Sequence, residues 1–196
     1  TRILNPNRSA QMVCEDKYIF CKKKALSKEE CKQIIGDFEI GEKYEGPENE
    51  VTIRDNEFYY DCIVVNIAVQ FWVKYLYESI EEYKTEHTFL GFGGCGSWAT
   101  NSLANIQKYK PNQCYKVEHC EHQPTNSNRV LAWMIYLNTV NKGGGTNWPQ
   151  QKFSSKAIAG DLYIWPASWT HSHKGIVAPE EEKYILTGWS SFVDST

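Results

Sequence analysis

The sequence predicts an α+β fold in which helices in the first half brace a barrel or double-sheet jelly roll in the second. Two helical patterns precede residue 102, and short strands separated by Gly- and Asn-containing turns follow it. Aromatic content adds to this: 8 Phe, 7 Trp and 12 Tyr suit a β-rich core or a ring-lined pocket. The chain has 196 residues, room for one sizeable core and scarcely for two. The expected organisation is therefore a single domain over 1–196, with 1–101 as strand and helical support and 102–196 as the β core.

The elements follow in order. The residues up to about Asp16 carry no regular pattern. "KYIFCKKKAL" is expected to be a strand with Ile19 and Cys21 on one face. "SKEECKQIIGDF" is expected to be a helix, with Ser27 as cap and Glu30 returning the bond in a capping box. "GEKYEGPENE" is polar and contains Gly and Pro, which predicts a loop. "NIAVQFWVKYLYESIEEYKTEH" is the clearest helix: Val69, Val73, Leu76, Ile80 and Tyr83 share a face, a stripe suited to packing on a sheet. In "GFGGCGSW", Gly91, Gly93 and Gly96 formally fit G-x-G-x-x-G. No buried strand precedes them and no βαβ unit surrounds them, so a turn is predicted. Strands are then expected at "SLANIQKYK", "CYKVEHCEH", "RVLAWMIYLN", "KFSSKAIAG", "DLYIWPAS", "SHKGIV" and "KYILTGWSSFV".

Composition excludes several classes. A net charge of −3 gives no general attraction to nucleic acid or anionic membrane. No apolar run reaches the roughly 18–20 residues that span a bilayer. "TRILNPNRSAQMV" lacks the apolar centre of a signal peptide, so the given residues point to a cytoplasmic protein. Seven cysteines, odd in number and without C-x-x-C, argue for reduced thiols rather than a disulfide framework or zinc ribbon.

The chemistry concentrates in "YKVEHCEH", residues 115–122. If the segment is extended, His119 and Glu121 face one way, while Glu118, Cys120 and His122 face the other. An H-x-E pair needs a third ligand, and "WTHSHKG" offers His171 and His173 on one face. Two histidines and one carboxylate form the facial triad of non-heme Fe(II) oxygenases, although the same set can hold zinc or manganese. Lys183 lies in an apolar strand, ten residues after His173. His122 fits a surface position, His87 a charge partner at a helix end, and Trp133 and Trp165 the core.

The run "IQKYKPNQCYKVEHCE … NRVLAWMIYLNTVNKGGGTNWPQ … AIAGDLYIWPASWTHSHKGIVAPEEEKYILTGW" resembles the iron- and 2-oxoglutarate-dependent dioxygenases of the prolyl 4-hydroxylase type. That family shows, in order, H-x-[DE], R…YLN, GG-x-T, G-D-x-x-x-[FW]-P, H-x-G, a Lys and a Trp. The resemblance implies a double-stranded β-helix (jelly roll) braced by N-terminal helices. It implies Fe(II) on His119, Glu121 and His173, with His173 preferred to His171 because it holds the H-x-G position. It also implies Lys183, Tyr109 and Thr146 on the distal carboxylate of 2-oxoglutarate, and Arg129 and Trp189 at the substrate. O2 is the second cosubstrate and ascorbate a reductant. The implied reaction decarboxylates 2-oxoglutarate to succinate and hydroxylates a C–H bond, with a prolyl residue of a peptide or protein as the expected substrate. A free amino acid or other small molecule is the alternative within this class. A metal-binding jelly roll without catalysis is the alternative outside it.

Three positions depart from the pattern: Glu121 replaces the commoner Asp, Gly145 stands where Glu is usual in "GGGT", and "HKGIV" lacks the usual Pro.

Overall fold

A computed structural model describes residues 16–46, 60–91 and 94–193. The expectation for the residues before Asp16, much of the "PENE" loop, and Gly93 of the glycine-rich turn lie outside the described residues. The elements run β1 (Phe20–Lys22), α1 (Lys28–Ile40), β2 (Tyr44–Gly46), β3 (Tyr60–Asn66), α2 (Val73–Glu86), α3 (Thr88–Gly91) and β4 (Trp98–Tyr109). There follow β5 (Arg129–Tyr136), β6 (Thr146–Trp148), β7 (Phe153–Ser154), β8 (Leu162–Pro166), β9 (Lys174–Gly175) and β10 (Lys183–Phe192). None of the described helices is long and apolar enough to cross a membrane.

α1 begins at the expected capping box: Glu30 N donates to Ser27 Oγ at 3.1 Å, and Ser27 N donates to Glu30 Oε2 at 2.8 Å. The two bonds satisfy amide groups that a helix start leaves open. The second helix is shorter than its pattern predicts. Ile67–Val69 form a 3-10 turn, and α2 starts only at Val73. The break removes Val69 from the packed stripe and leaves it 79% exposed, while Trp72 is fully buried. Leu76, Ile80 and Tyr83 keep the buried face.

The main sheet has the order β1-β8-β5-β10-β4-β3-β2, antiparallel throughout. A smaller sheet has the order β7-β6-β9. The two sheets face each other as the expected jelly roll, and the helices cover the outer face of the larger one. Alternation sorts the side chains. On β5, Leu131, Trp133 and Ile135 pack with Phe38, Trp72 and Leu76 of the helical layer. Ala132, Met134 and Tyr136 instead point between the sheets, toward Trp148, Phe153 and Trp165. Both faces of β5 are buried, which accounts for the near-continuous apolar run "VLAWMIYL".

Three differences from the sequence expectation bear on the site. β3 was not foreseen, and it extends the main sheet beside β4. No strand is expected at "TNW", yet Thr146–Trp148 form the central strand of the smaller sheet. "CYKVEHCEH" is not a strand: its ladder is a single bridge between His119 and His173. The rest of that segment is irregular and fastened by isolated bonds, with Glu121 N and His122 N both donating to Ala167 O at 3.0 Å.

Gly188 of β10 lies opposite Trp133 on one side and Ala104 on the other. A Cβ at Gly188 would come within 2.4 Å of Trp133 Cζ2. Trp133 is fully buried against Trp72, with ring centroids 6.1 Å apart, and has nowhere to move. Gly188→Ala is therefore expected to destabilise the protein by about 1–3 kcal/mol through overpacking. Urea denaturation checks this, and an unchanged midpoint would mean that the indole has room to shift.

Candidate active site

Between the two sheets lies a cavity of about 300 Å³. β10 places Lys183, Ile185, Thr187 and Trp189 on it at every second position, and β4 places Asn105, Gln107 and Tyr109 in the same way. Thr146 enters from β6, and His119, Glu121 and His173 from the opposite layer.

The His119–His173 bridge carries two bonds, His119 N to His173 O at 3.0 Å and His173 N to His119 O at 2.8 Å. A closely bonded antiparallel pair sets both imidazoles on one side of the ribbon, and their ring centroids are 4.4 Å apart. Each Nδ1 lies beside a main-chain carbonyl, His119 at 2.9 Å from Val117 O and His173 at 3.1 Å from His171 O. With Nδ1 turned to these carbonyls, Nε2 of each ring is the atom aimed at the cluster, the usual orientation of metal-ligating histidines. Glu121 Oε1 sits 3.4 Å from each Nε2. The three donor atoms all lie within 4.8 Å of one another, the one such grouping among the described residues. Burial alone would raise the Glu121 carboxyl, but hydrogen bonds and charge from His119 and His173 outweigh it and hold the group well below the usual carboxylate range.

The second oxygen of Glu121 is also held. Trp189 Nε1 donates to Oε2 at 2.8 Å and Arg129 Nη1 donates to it at 3.1 Å. The guanidinium lies 3.7 Å from the centroid of the Trp189 ring. Sequence reasoning put Arg129 and Trp189 at the substrate. Both line the cavity, and both also bond the carboxylate.

Lys183 occupies the other end. It is 4% exposed, pairs in register with Tyr109, and places Nζ 4.6 Å from the Tyr109 ring centroid. No carboxylate among the described residues pairs with it. Burial pushes its ammonium down to about 8, with the nearby Cys114 opposing the shift. Tyr109 Oη donates to Gln107 Oε1 at 2.9 Å. Thr146 Oγ1 is 2.9 Å from Tyr136 Oη, which in turn is 2.7 Å from Ser155 Oγ.

His171 is not in this cluster. Its Nε2 points to Asp16 Oδ2 at 3.5 Å, and its Nδ1 lies 2.9 Å from Thr170 Oγ1. Trp165, expected in the core, both packs there and walls the cavity, with its ring centroid 5.0 Å from that of His173. Sequence reasoning missed Asn105, Gln107 and the Tyr136–Ser155 support. Counting back by two from Tyr109 along β4 would have found the two amides. "GGGT" is also explained, because a Cβ at Gly145 would lie 2.0 Å from Ser155 O. The usual Glu has no place there.

Residues 104–191 match the family model of the 2OG-Fe(II) oxygenase superfamily. That match, with the cavity, supports a dioxygenase enzyme, and the matched family implies Fe(II), 2-oxoglutarate and O2. Its fold is of the prolyl 4-hydroxylase type. The viral collagen prolyl hydroxylase of Paramecium bursaria Chlorella virus-1, solved with 2OG, superposes with a TM-score of 0.64 at 20% identity, covering 93% of this chain and 99% of that one. A Pseudomonas putida prolyl-4-hydroxylase gives 0.63 at 14%, covering 90% and 94%. A Trichoplax adhaerens prolyl hydroxylase, in complex with a hypoxia inducible factor peptide fragment, gives 0.66 at 15%, covering 89% and 84%. No curated protein matches the sequence.

The Lys183 geometry makes a prediction about stability. Its pKa is 10.5 when exposed and about 8 in the fold, so the unfolded chain holds the proton more tightly. Folding then carries a cost of about 3 kcal/mol below pH 8, which fades as pH rises from about 8 to 10.5. Lys183→Met is expected to be more stable than the ligand-free parent at pH 7. The gap should shrink across that window in denaturant titrations at stepped pH. A gap that stays constant with pH would show that the ammonium carries no such cost.

Proposed function

We propose that the protein is a prolyl 4-hydroxylase acting on peptidyl proline, with 1–196 working as one dioxygenase domain. The observation that carries this is the pairing, in one cavity, of a His–Glu–His cluster with a buried lysine that has no carboxylate partner among the described residues. A metal-binding module has use for the first and none for the second.

The donor set suits Fe(II): two imidazole Nε2 atoms and one carboxylate oxygen lie within 4.8 Å of one another, and three such ligands would leave room for others on an ion held there. In this reading His119, Glu121 and His173 hold the metal. Bound Fe(II) with 2-oxoglutarate and O2 supplies the oxidation, giving succinate, CO2 and a hydroxylated C–H, with ascorbate as a reductant. Lys183 pairs with the distal carboxylate of 2-oxoglutarate. No other carboxylate among the described residues compensates its charge, and a buried charge is costly unless paired. Thr146 and Tyr109 add hydrogen bonds, Tyr109 by turning its proton from Gln107 to the carboxylate.

The substrate end favours a peptide. Arg129 and Trp189 border it, together with the amides of Asn105, Gln123 and Asn126. Beyond them a surface groove of about 460 Å³ continues over Val64, Asn101, Ser102 and Leu103. A free amino acid needs partners for its ammonium and carboxylate. The described charges here are already assigned: Arg129 to Glu121, and Lys183 to the cosubstrate. Amides and apolar side chains instead match a neutral, extended main chain.

Succinate release from 2-oxoglutarate with Fe(II), measured against proline-rich peptides and against free proline, tests the reading. Peptides are expected to stimulate release and free proline is not. The reverse result would make this a small-molecule hydroxylase. In the same assay His119→Ala and His173→Ala are expected to abolish turnover, while His171→Ala, aimed at Asp16, reduces it mildly. A dead His171→Ala beside an active His173→Ala would move the third ligand to His171.

Lys183→Ala is expected to raise the KM for 2-oxoglutarate by about 30-fold or more. Loss of one partner from a buried hydrogen-bonded charge pair costs at least about 2 kcal/mol. An unchanged KM would remove Lys183 from the cosubstrate.

A further inference from the structure

We propose that Arg129 and Trp189 are positioning residues for the metal site: they clamp Glu121 Oε2, so that Oε1 alone is offered to the ion. The proposal rests on the metal-ligand reading above and adds to it.

The division of the carboxylate carries the argument. Oε1 is 3.4 Å from both His119 Nε2 and His173 Nε2. Oε2 takes the indole N–H at 2.8 Å and the guanidinium at 3.1 Å. Both donors approach one oxygen and none approaches the other from this side. A carboxylate free at both oxygens can bind an ion through either or both. One whose second oxygen is held by two donors presents a single lone-pair direction. Charge-assisted bonds of this kind are short and directional, and ligand-orienting partners of this kind commonly tune metal affinity.

The clamp is itself braced. Arg129 Cζ lies 3.7 Å from the Trp189 ring centroid, and Arg129 Nη1 also reaches Glu121 O at 3.5 Å. Arg129 opens β5, and Trp189 sits where the register of β10 against β4 shifts between Gly188 and Ser190. Such irregularities re-aim a side chain beside a site. Glu121 reaches across from the irregular segment of the opposite layer. Its side chain is one methylene longer than the commoner Asp, and that length lets one carboxylate meet both histidines and the clamp.

Co(II) titration under anaerobic conditions, followed by the visible absorption of the bound ion, tests this. Arg129→Met and Trp189→Phe are expected to weaken Co(II) binding by about 10–100-fold and to alter the spectrum, with thermal melting of the metal-free protein unchanged. Arg129→Lys should recover part of the loss. Glu121→Asp is too short for the clamp, so adding Arg129→Met to it should cost much less than in the parent. The proposal falls if both single variants bind Co(II) as the parent does while Glu121→Ala does not, or if the Glu121→Asp and Arg129→Met effects are additive. Parental binding by Glu121→Ala would instead overturn the metal-ligand reading beneath it. Trp189→Phe, the conservative change, decides the matter if Arg129→Met does not fold.

Discussion

An ammonium buried without a carboxylate partner among the described residues is the constraint around which this cavity is built. Lys183 costs the ligand-free fold stability, and the fold holds it by strand geometry rather than by charge. Its backbone is locked into β10, the strand that pairs with both β4 and β5 at the centre of the sheet. Its stem lies along the Tyr109 ring. In the proposed function the distal carboxylate of 2-oxoglutarate would pair with this ammonium and relieve that cost. The same strand sets the other end of the cavity, because every second residue from Lys183 reaches Trp189 beside Glu121. The spacing between Lys183 and the His119–Glu121–His173 cluster is therefore a strand length, fixed by backbone hydrogen bonds.

The outer layer of this arrangement was legible in the sequence because local signals set it. Ser27 and Glu30 mark the start of α1 by a side chain–backbone exchange three residues long. The β5 run is apolar on both faces, as a strand buried on both sides must be. His119, Glu121, His173 and Lys183 could be grouped because the motif spacing survives in the chain order, and the structure brings all four to one cavity.

What was not legible depends on tertiary contacts. β3 has no strong alternation, and Val64 stays 42% exposed, since its pairing with β4 and β2 rather than its pattern makes it a strand. Thr146–Trp148 follow three glycines and look like a turn until β7 and β9 close on either side. The "YKVEHCEH" segment shows why a right grouping can come from a wrong element. A strand would put His119 and Glu121 on one face by alternation. Here one bridge to His173 and two bonds to Ala167 O achieve the same juxtaposition without a ladder. The Glu121–Arg129–Trp189 contact joins residues 8 and 68 positions apart, and no periodicity announces it.

That contact changes what the substrate end can be. A lone arginine at the mouth of a cavity invites an anionic substrate. An arginine already bonded to a ligand carboxylate and stacked on an indole has its charge directed inward. What remains outward is a rim of amides, running onto Leu103, 52% exposed, and Val64. The longer Glu121 side chain thus has effects on both sides of it: it draws the arginine toward the metal site, and in doing so leaves the groove neutral. Under the proposed function such a neutral groove suits the uncharged main chain of a peptide, so the proposed metal ligation and the proposed substrate class would both trace back to one additional methylene.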